Sequence, residues 1–145
     1  MFEITQVAAR DTYVIELKNA DDEPLVDAAG KALSVTVYGP GSKAYAKAQA
    51  ARNQKMMDRM AKRGRVKLSV EEQSELDAQL LAAITVSFDG WAYKGRSDRD
   101  VFEQAYADRS IGFIADQVMK AAGDWANFST APTNSSPSAS GTQPG

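Results

Sequence analysis

The chain contains neither cysteine nor histidine. Disulfides are therefore impossible, and zinc, haem and iron–sulfur centres lose their usual ligands. Catalytic triads built on histidine, and thiol nucleophiles, are excluded with them. No apolar run approaches the roughly 20 residues that cross a bilayer. Met1-Phe2-Glu3-Ile4 has neither the basic nor the apolar section of a signal peptide. Charge of one sign is also lacking: the net charge is −2 over 145 residues, so the whole molecule is not built as a polyanion binder. These absences lead to the expectation of a cytoplasmic protein with no cofactor, no metal and no membrane association.

What is present is ordinary globular composition, 43% hydrophobic and 25% charged, enough for one domain. Residues 129–145 stand apart. They carry no charge and no large apolar side chain, and Ser, Pro, Thr and Gly dominate. Such a segment buries too little apolar area to offset its ordering entropy, and the expectation is a disordered tail. Residues 1–128 are expected to form a single domain.

Residues 12–38 read as an antiparallel β-hairpin. Thr12-Tyr13-Val14-Ile15-Glu16-Leu17 is rich in β-branched and aromatic residues, and Leu33, Val35 and Val37 alternate with polar neighbours. A further short strand is expected at residues 2–5. Gly39-Pro40-Gly41 breaks the strand, and Ser42 suits a helix N-cap. A helix over 42–63 follows, stopped by Gly64. Ser69-Val70-Glu71-Glu72 is a capping box that opens a helix over 69–88, whose buried face is Leu76, Leu80, Ile84 and Phe88. A shorter helix is expected over 97–108, with Val101, Phe102, Ala105 and Tyr106 on one side. The last, over 110–128, places Ile114, Val118, Ala121, Trp125 and Phe128 on one stripe. The expected fold class is α+β: an N-terminal β-hairpin or small antiparallel sheet, then a bundle of about four helices.

Chemistry-bearing patterns are few. Gly39-Pro40-Gly41-Ser42-Lys43 has the composition of a phosphate loop but not the G-x-x-x-x-G-K-[ST] spacing, and Pro40 removes a backbone N–H. A strand-to-helix turn capped by Ser42 accounts for it. Asp98 and Asp100 lack the Gly and terminal Glu of a calcium loop and suit a helix start instead. Asp21-Asp22-Glu23 suits a solvated turn. No spacing supports an enzyme.

Residues 43–67 hold nine basic side chains against Asp58 alone, a net charge of +8, while the rest of the chain sums to −10. Such a helix suits nucleic-acid phosphates, an acidic protein partner, or the chain's own acidic remainder. No aromatic residues interleave to stack bases, which disfavours nucleic acid. Met56 and Met60 suit the core; Met57 suits an exposed, adaptable contact. Trp125 and Phe128 suit the core by their spacing, and Trp91 and Tyr93 suit a groove for a partner segment. Lys55, Met57, Arg59, Lys62, Arg63, Trp91 and Tyr93 are the candidate partner-binding residues.

Three segments resemble the tail assembly chaperones of long-tailed, siphophage-type bacteriophages. They are Val35-Thr36-Val37-Tyr38-Gly39-Pro40-Gly41-Ser42-Lys43-Ala44-Tyr45; Leu80-Leu81-Ala82-Ala83-Ile84-Thr85 running into Asp89-Gly90-Trp91; and Tyr106-Ala107-Asp108 leading through Ile114-Ala115-Asp116-Gln117-Val118 to Gly123-Asp124-Trp125-Ala126-Asn127-Phe128. Together they span most of residues 12–128, and none is a catalytic signature. The resemblance implies a non-enzymatic protein that binds the tape measure protein and keeps it soluble during tail assembly. It implies residence in the host cytoplasm and absence from the mature virion. In several such systems a programmed frameshift adds an extension that recruits the major tail protein. Two alternatives stay open beside it: a small nucleic-acid-binding or regulatory protein using the basic helix, and a structural tail component of the virion. Self-association is open as well.

Overall fold

The computed structural model describes residues 1–64 and 67–129. Its strands are β1 (Thr12–Glu16), β2 (Ser34–Tyr38) and β3 (Thr85–Asp89), in the antiparallel order β1-β2-β3. Its helices are α1 (Lys43–Arg63), α2 (Val70–Ile84), α3 (Phe102–Ala107) and α4 (Gly112–Ala122). The fold class is α+β, as the patterning indicated.

β1 and β2 pair directly, Tyr13 opposite Val37 and Ile15 opposite Val35. The chain between them does not close in one turn. Asn19 Oδ1 accepts from the backbone N–H groups of Asp21 and Glu23, and Asp27 Oδ1 accepts from those of Ala29 and Lys31. Each carboxylate or amide oxygen thus closes its own turn. The strip between the turns bonds to both arms, Leu25 N to Leu17 O and Leu33 N to Leu25 O. Gln117 of α4 pins this arm, donating to Lys18 O at 2.6 Å and accepting from Lys18 N at 2.8 Å.

The expected strand over 2–5 is replaced by a 3-10 turn at Ile4–Val7, started by the Glu3 side chain accepting from Thr5 N. The helix expected over 69–88 ends at Ile84. Thr85 takes extended geometry, its hydroxyl donates to Leu81 O at 2.7 Å, and residues 85–89 become the third strand. The four-residue spacing from Leu76 to Phe88 is real, but its last member belongs to a strand. β2 buries Val35 and Val37 completely, and its second edge needs backbone partners. β3 supplies them, with an irregularity in register beside the half-exposed Val86.

The expected helix over 97–108 is a 3-10 turn at Arg99–Val101 followed by α3. Asp98 starts it by accepting from Asp100 N. The expected helix over 110–128 is also divided. Asp108 caps a 3-10 turn at Arg109–Ile111, α4 ends at Gly123, and Asp124 caps a last 3-10 turn at Trp125–Phe128. That break rotates the stripe: Ile114, Val118 and Phe128 are buried, Ala122 rather than Ala121 is the buried alanine, and Trp125 is 59% exposed. The core placement expected for Trp125 is therefore incorrect.

Both sequence-read caps are present. Ser42 accepts from Tyr45 N, and Ser69 and Glu72 form the reciprocal capping box. Gly64 closes α1 in the left-handed region at φ 63°, a conformation glycine adopts without a Cβ penalty. The core lies among the sheet, α2, α3, α4 and the Phe128 turn. Phe88 sits centrally, stacked on Trp91 at 4.0 Å and tilted against Phe102 at 4.4 Å. From α1, Ala48 is buried in it and Tyr45 packs against its edge. Of the expected tail, Ser129 closes the last turn and residues 130–145 lie outside the described residues. Arg65 and Val66 of the basic segment lie outside them too.

Candidate functional site

The basic helix folds against the chain's own acids. Arg52 bonds Asp77 through Nε and Nη2 at 3.0 and 2.8 Å, Arg59 pairs with Glu75 at 2.7 Å, and Arg63 pairs with Glu72. Lys55 donates to Gln79 Oε1 at 2.6 Å. These side chains recur every three or four residues along α1, so they share the face turned toward α2. Met56 and Met60 are half-buried and, contrary to the core placement expected for them, do not join the hydrophobic core, while Met57 is 60% exposed. Lys43, Lys47 and Lys62 are exposed and make no ion pair among the described residues.

Trp91 and Tyr93 are half-buried and tied down. Trp91 donates from Nε1 to Ser34 O at 2.8 Å and stacks on Phe88. Tyr93 Oη donates to Asp108 Oδ2 at 2.8 Å. The candidate partner residues therefore divide. Lys55, Arg59 and Arg63 hold α1 to α2; Trp91 and Tyr93 hold the β3–α3 connector; Met57 and Lys62 are left to solvent. No hydrogen bond joins the α1 group to the aromatic pair among the described residues.

A different feature emerges between α2, α3 and α4: an open groove of about 440 Å³. Its apolar lining is Ala78 and Leu81 from α2, Tyr106 and Ala107 from α3, and Ala115 and Met119 from α4. Val70, 75% exposed, is also part of its lining. Gly112 lines it as well, and a methyl group built there would meet nothing within 4 Å.

The groove is acidic. Glu71, Glu75, Asp77, Glu103, Asp108 and Asp116 line it against the single guanidinium of Arg109. Glu75 and Asp77 are shared with α1. Asp108 accepts from the Ser110 hydroxyl at 2.6 Å and from Tyr93, which hold its carboxyl below the usual carboxylate range. The same bond to Asp108 raises the Tyr93 phenol. The carboxylates of Glu71, Glu103 and Asp116 make no hydrogen bond or ion pair among the described residues.

Tyr106 is buried, and its hydroxyl lies 2.6 Å from Thr85 Oγ1. The Thr85 proton goes to Leu81 O, so Tyr106 is the donor of that pair. Burial raises the Tyr106 phenol far above its ordinary value, and it stays protonated. Among the described residues no group of three or more Asp and Glu is placed to hold a metal ion, and no helix is long and apolar enough to cross a membrane.

The groove was not read from the sequence, because it is assembled from three helices. A signal was nonetheless present. Glu71, Glu75 and Ala78 recur at helical spacing on α2, as do Gly112, Ala115, Asp116 and Met119 on α4. Each is a stripe of small and acidic residues beside a core face. Comparison of the chain with protein-family models, curated proteins and solved structures finds no match.

Proposed function

We propose that this chain is a non-catalytic tail assembly chaperone of a long-tailed bacteriophage, which binds the tape measure protein and keeps it soluble while the tail is built. The observation that carries the reading is the open groove between α2, α3 and α4, whose lining joins apolar side chains to carboxylates and can receive the apolar face of a helix. A long helical client offers amphipathic segments that aggregate unless one face is covered. The three segments that carry the family resemblance agree with this reading. They fall on the β2–α1 passage, the α2–β3 passage, and the run from α3 to Phe128. The expected workplace is the host cytoplasm, with the protein absent from the finished virion.

The nucleic-acid alternative draws less support, since Arg52, Arg59 and Arg63 are already paired with α2. A protein that used them on phosphates would have to break those pairs first.

Co-expression with the tape measure protein of the same phage tests the proposal. A client that is soluble and co-purifies only when this chain is present supports it. An insoluble client with no co-purification, beside low-salt retardation of duplex DNA, would replace it with the nucleic-acid reading.

A further inference from the structure

The groove between α2, α3 and α4 has a chemistry that specifies its occupant. We propose that it is the client-binding surface, and that it takes a cationic amphipathic helix: a stripe of small or aliphatic residues flanked by Lys and Arg. This rests on the reading of the chain as a holder of helical clients.

Size and charge both point this way. The lining positions Ala78, Ala107, Gly112 and Ala115 carry little or no side chain. A helix laid there approaches closely, its aliphatic stripe against Leu81, Tyr106 and Met119. The volume of about 440 Å³ holds a few aliphatic side chains from such a stripe, not a whole globular surface.

The rim then selects for charge. Of the six lining carboxylates, Glu75 and Asp77 are paired with Arg59 and Arg52, while those of Glu71, Glu103 and Asp116 have no partner among the described residues and Arg109 is the single cation of the lining. α1 supplies cations only to Glu72, Glu75, Asp77 and the neutral amide oxygen of Gln79. An acidic client helix would meet repulsion along the groove; a cationic one would gain steering and register. The basic helix, the most visible charged feature of the sequence, is thus an internal brace, and recognition passes to the opposite sign.

The test uses the full chain and two fluorescent helical peptides with the same Ala/Leu stripe, one flanked by Lys and the other by Glu. Anisotropy should show the Lys peptide binding at least about tenfold tighter. Its affinity should fall several-fold between low and high salt, as screening predicts. Glu71→Lys, Glu103→Lys and Asp116→Lys should each weaken it several-fold. Gly112→Leu adds a bulky side chain at a lining position where a Cβ meets no neighbour within 4 Å, and should weaken binding several-fold while the circular dichroism spectrum is unchanged. Lys43→Glu and Lys47→Glu, on α1, should leave the affinity unaltered.

Three results would overturn the proposal. One is equal binding of the Lys peptide to the wild type and Gly112→Leu. Another is preference for the Glu peptide. The third is sedimentation showing the groove occupied by a second copy's α1, with assemblies dispersed by Glu71→Lys. A soluble tape measure complex that survives Gly112→Leu and the rim reversals keeps the chaperone reading and removes the groove. Groove binding of the Lys peptide without any tape measure complex does the reverse.

Discussion

Phe128 closes the molecule, and its removal gives the sharpest test of the packing described above. Its ring is completely buried, lies 5.6 Å from the Tyr13 ring, and covers Gly39 so tightly that a Cβ there would sit 2.3 Å from the ring. Its carbonyl accepts from Arg10 N at 2.7 Å. Phe128→Ala removes a whole buried ring and leaves a cavity, a loss of about 3–5 kcal/mol. For a domain of this size that lowers Tm by about 12–20 °C, at about 4 °C per kcal/mol. Gly39→Ala is a separate injury. Its methyl group must displace the ring, an overpacking cost of about 1–3 kcal/mol. The two are not independent, because the clash exists only while the ring is present. The double variant should cost no more than Phe128→Ala alone, a departure from additivity of about 1–3 kcal/mol. Urea denaturation followed by circular dichroism measures all four proteins, with a common m-value as the check on two-state behaviour. A loss below about 1 kcal/mol for Phe128→Ala, or simple additivity of the pair, would refute the account: the last turn would not be seated over Gly39.

Other outcomes follow from single contacts. Thr85→Val strands the buried Tyr106 hydroxyl and should cost about 1–3 kcal/mol, whereas Tyr106→Phe leaves Thr85 bonded to Leu81 O and should cost about 1 kcal/mol or less; equal losses in urea would reverse the assigned donor. Ser69→Ala removes one half of the capping box and should cost about 1 kcal/mol, read as a lowered denaturation midpoint. Arg96 lowers Asp98, and the Ser110 hydroxyl followed by Tyr93 lowers Asp108, both below the ordinary 3.8. The stability these carboxylates contribute is present above that value and is lost as pH falls through their folded values. Carboxyl-carbon NMR titration should place both midpoints below 3.8, and a midpoint at or above it would remove that contact from the acid response.

Much of the local structure was legible because it depends on near neighbours. Ser42, Ser69 with Glu72, Gly64 and Asp98 act within four residues of themselves, and each sits where its chemistry indicated. The alternation through Val35 and Val37 and the paired apolar residues of α3 report burial directly, and those positions are buried. The errors have two causes, one distant in sequence and one local. Residues 85–89 continue a helical spacing but are claimed by the free edge of β2, a partner far away in sequence. Trp125 continues the α4 stripe, yet Gly123 ends the helix and Asp124 restarts the chain at a new angle.

The sequence by itself determined the α+β class, the caps, most of the core and the presence of a strongly basic helix. These rest on composition, period and side-chain-to-backbone bonds that need no tertiary partner. Only the tertiary structure decided what that helix packs against and where an acidic groove lies. A charge run states a sign and not a recipient; the packing of α1 on α2 spends its arginines internally. The groove exists only once α2, α3 and α4 meet, because carboxylates scattered from Glu71 to Asp116 form one acidic surface only when three helices bring them together.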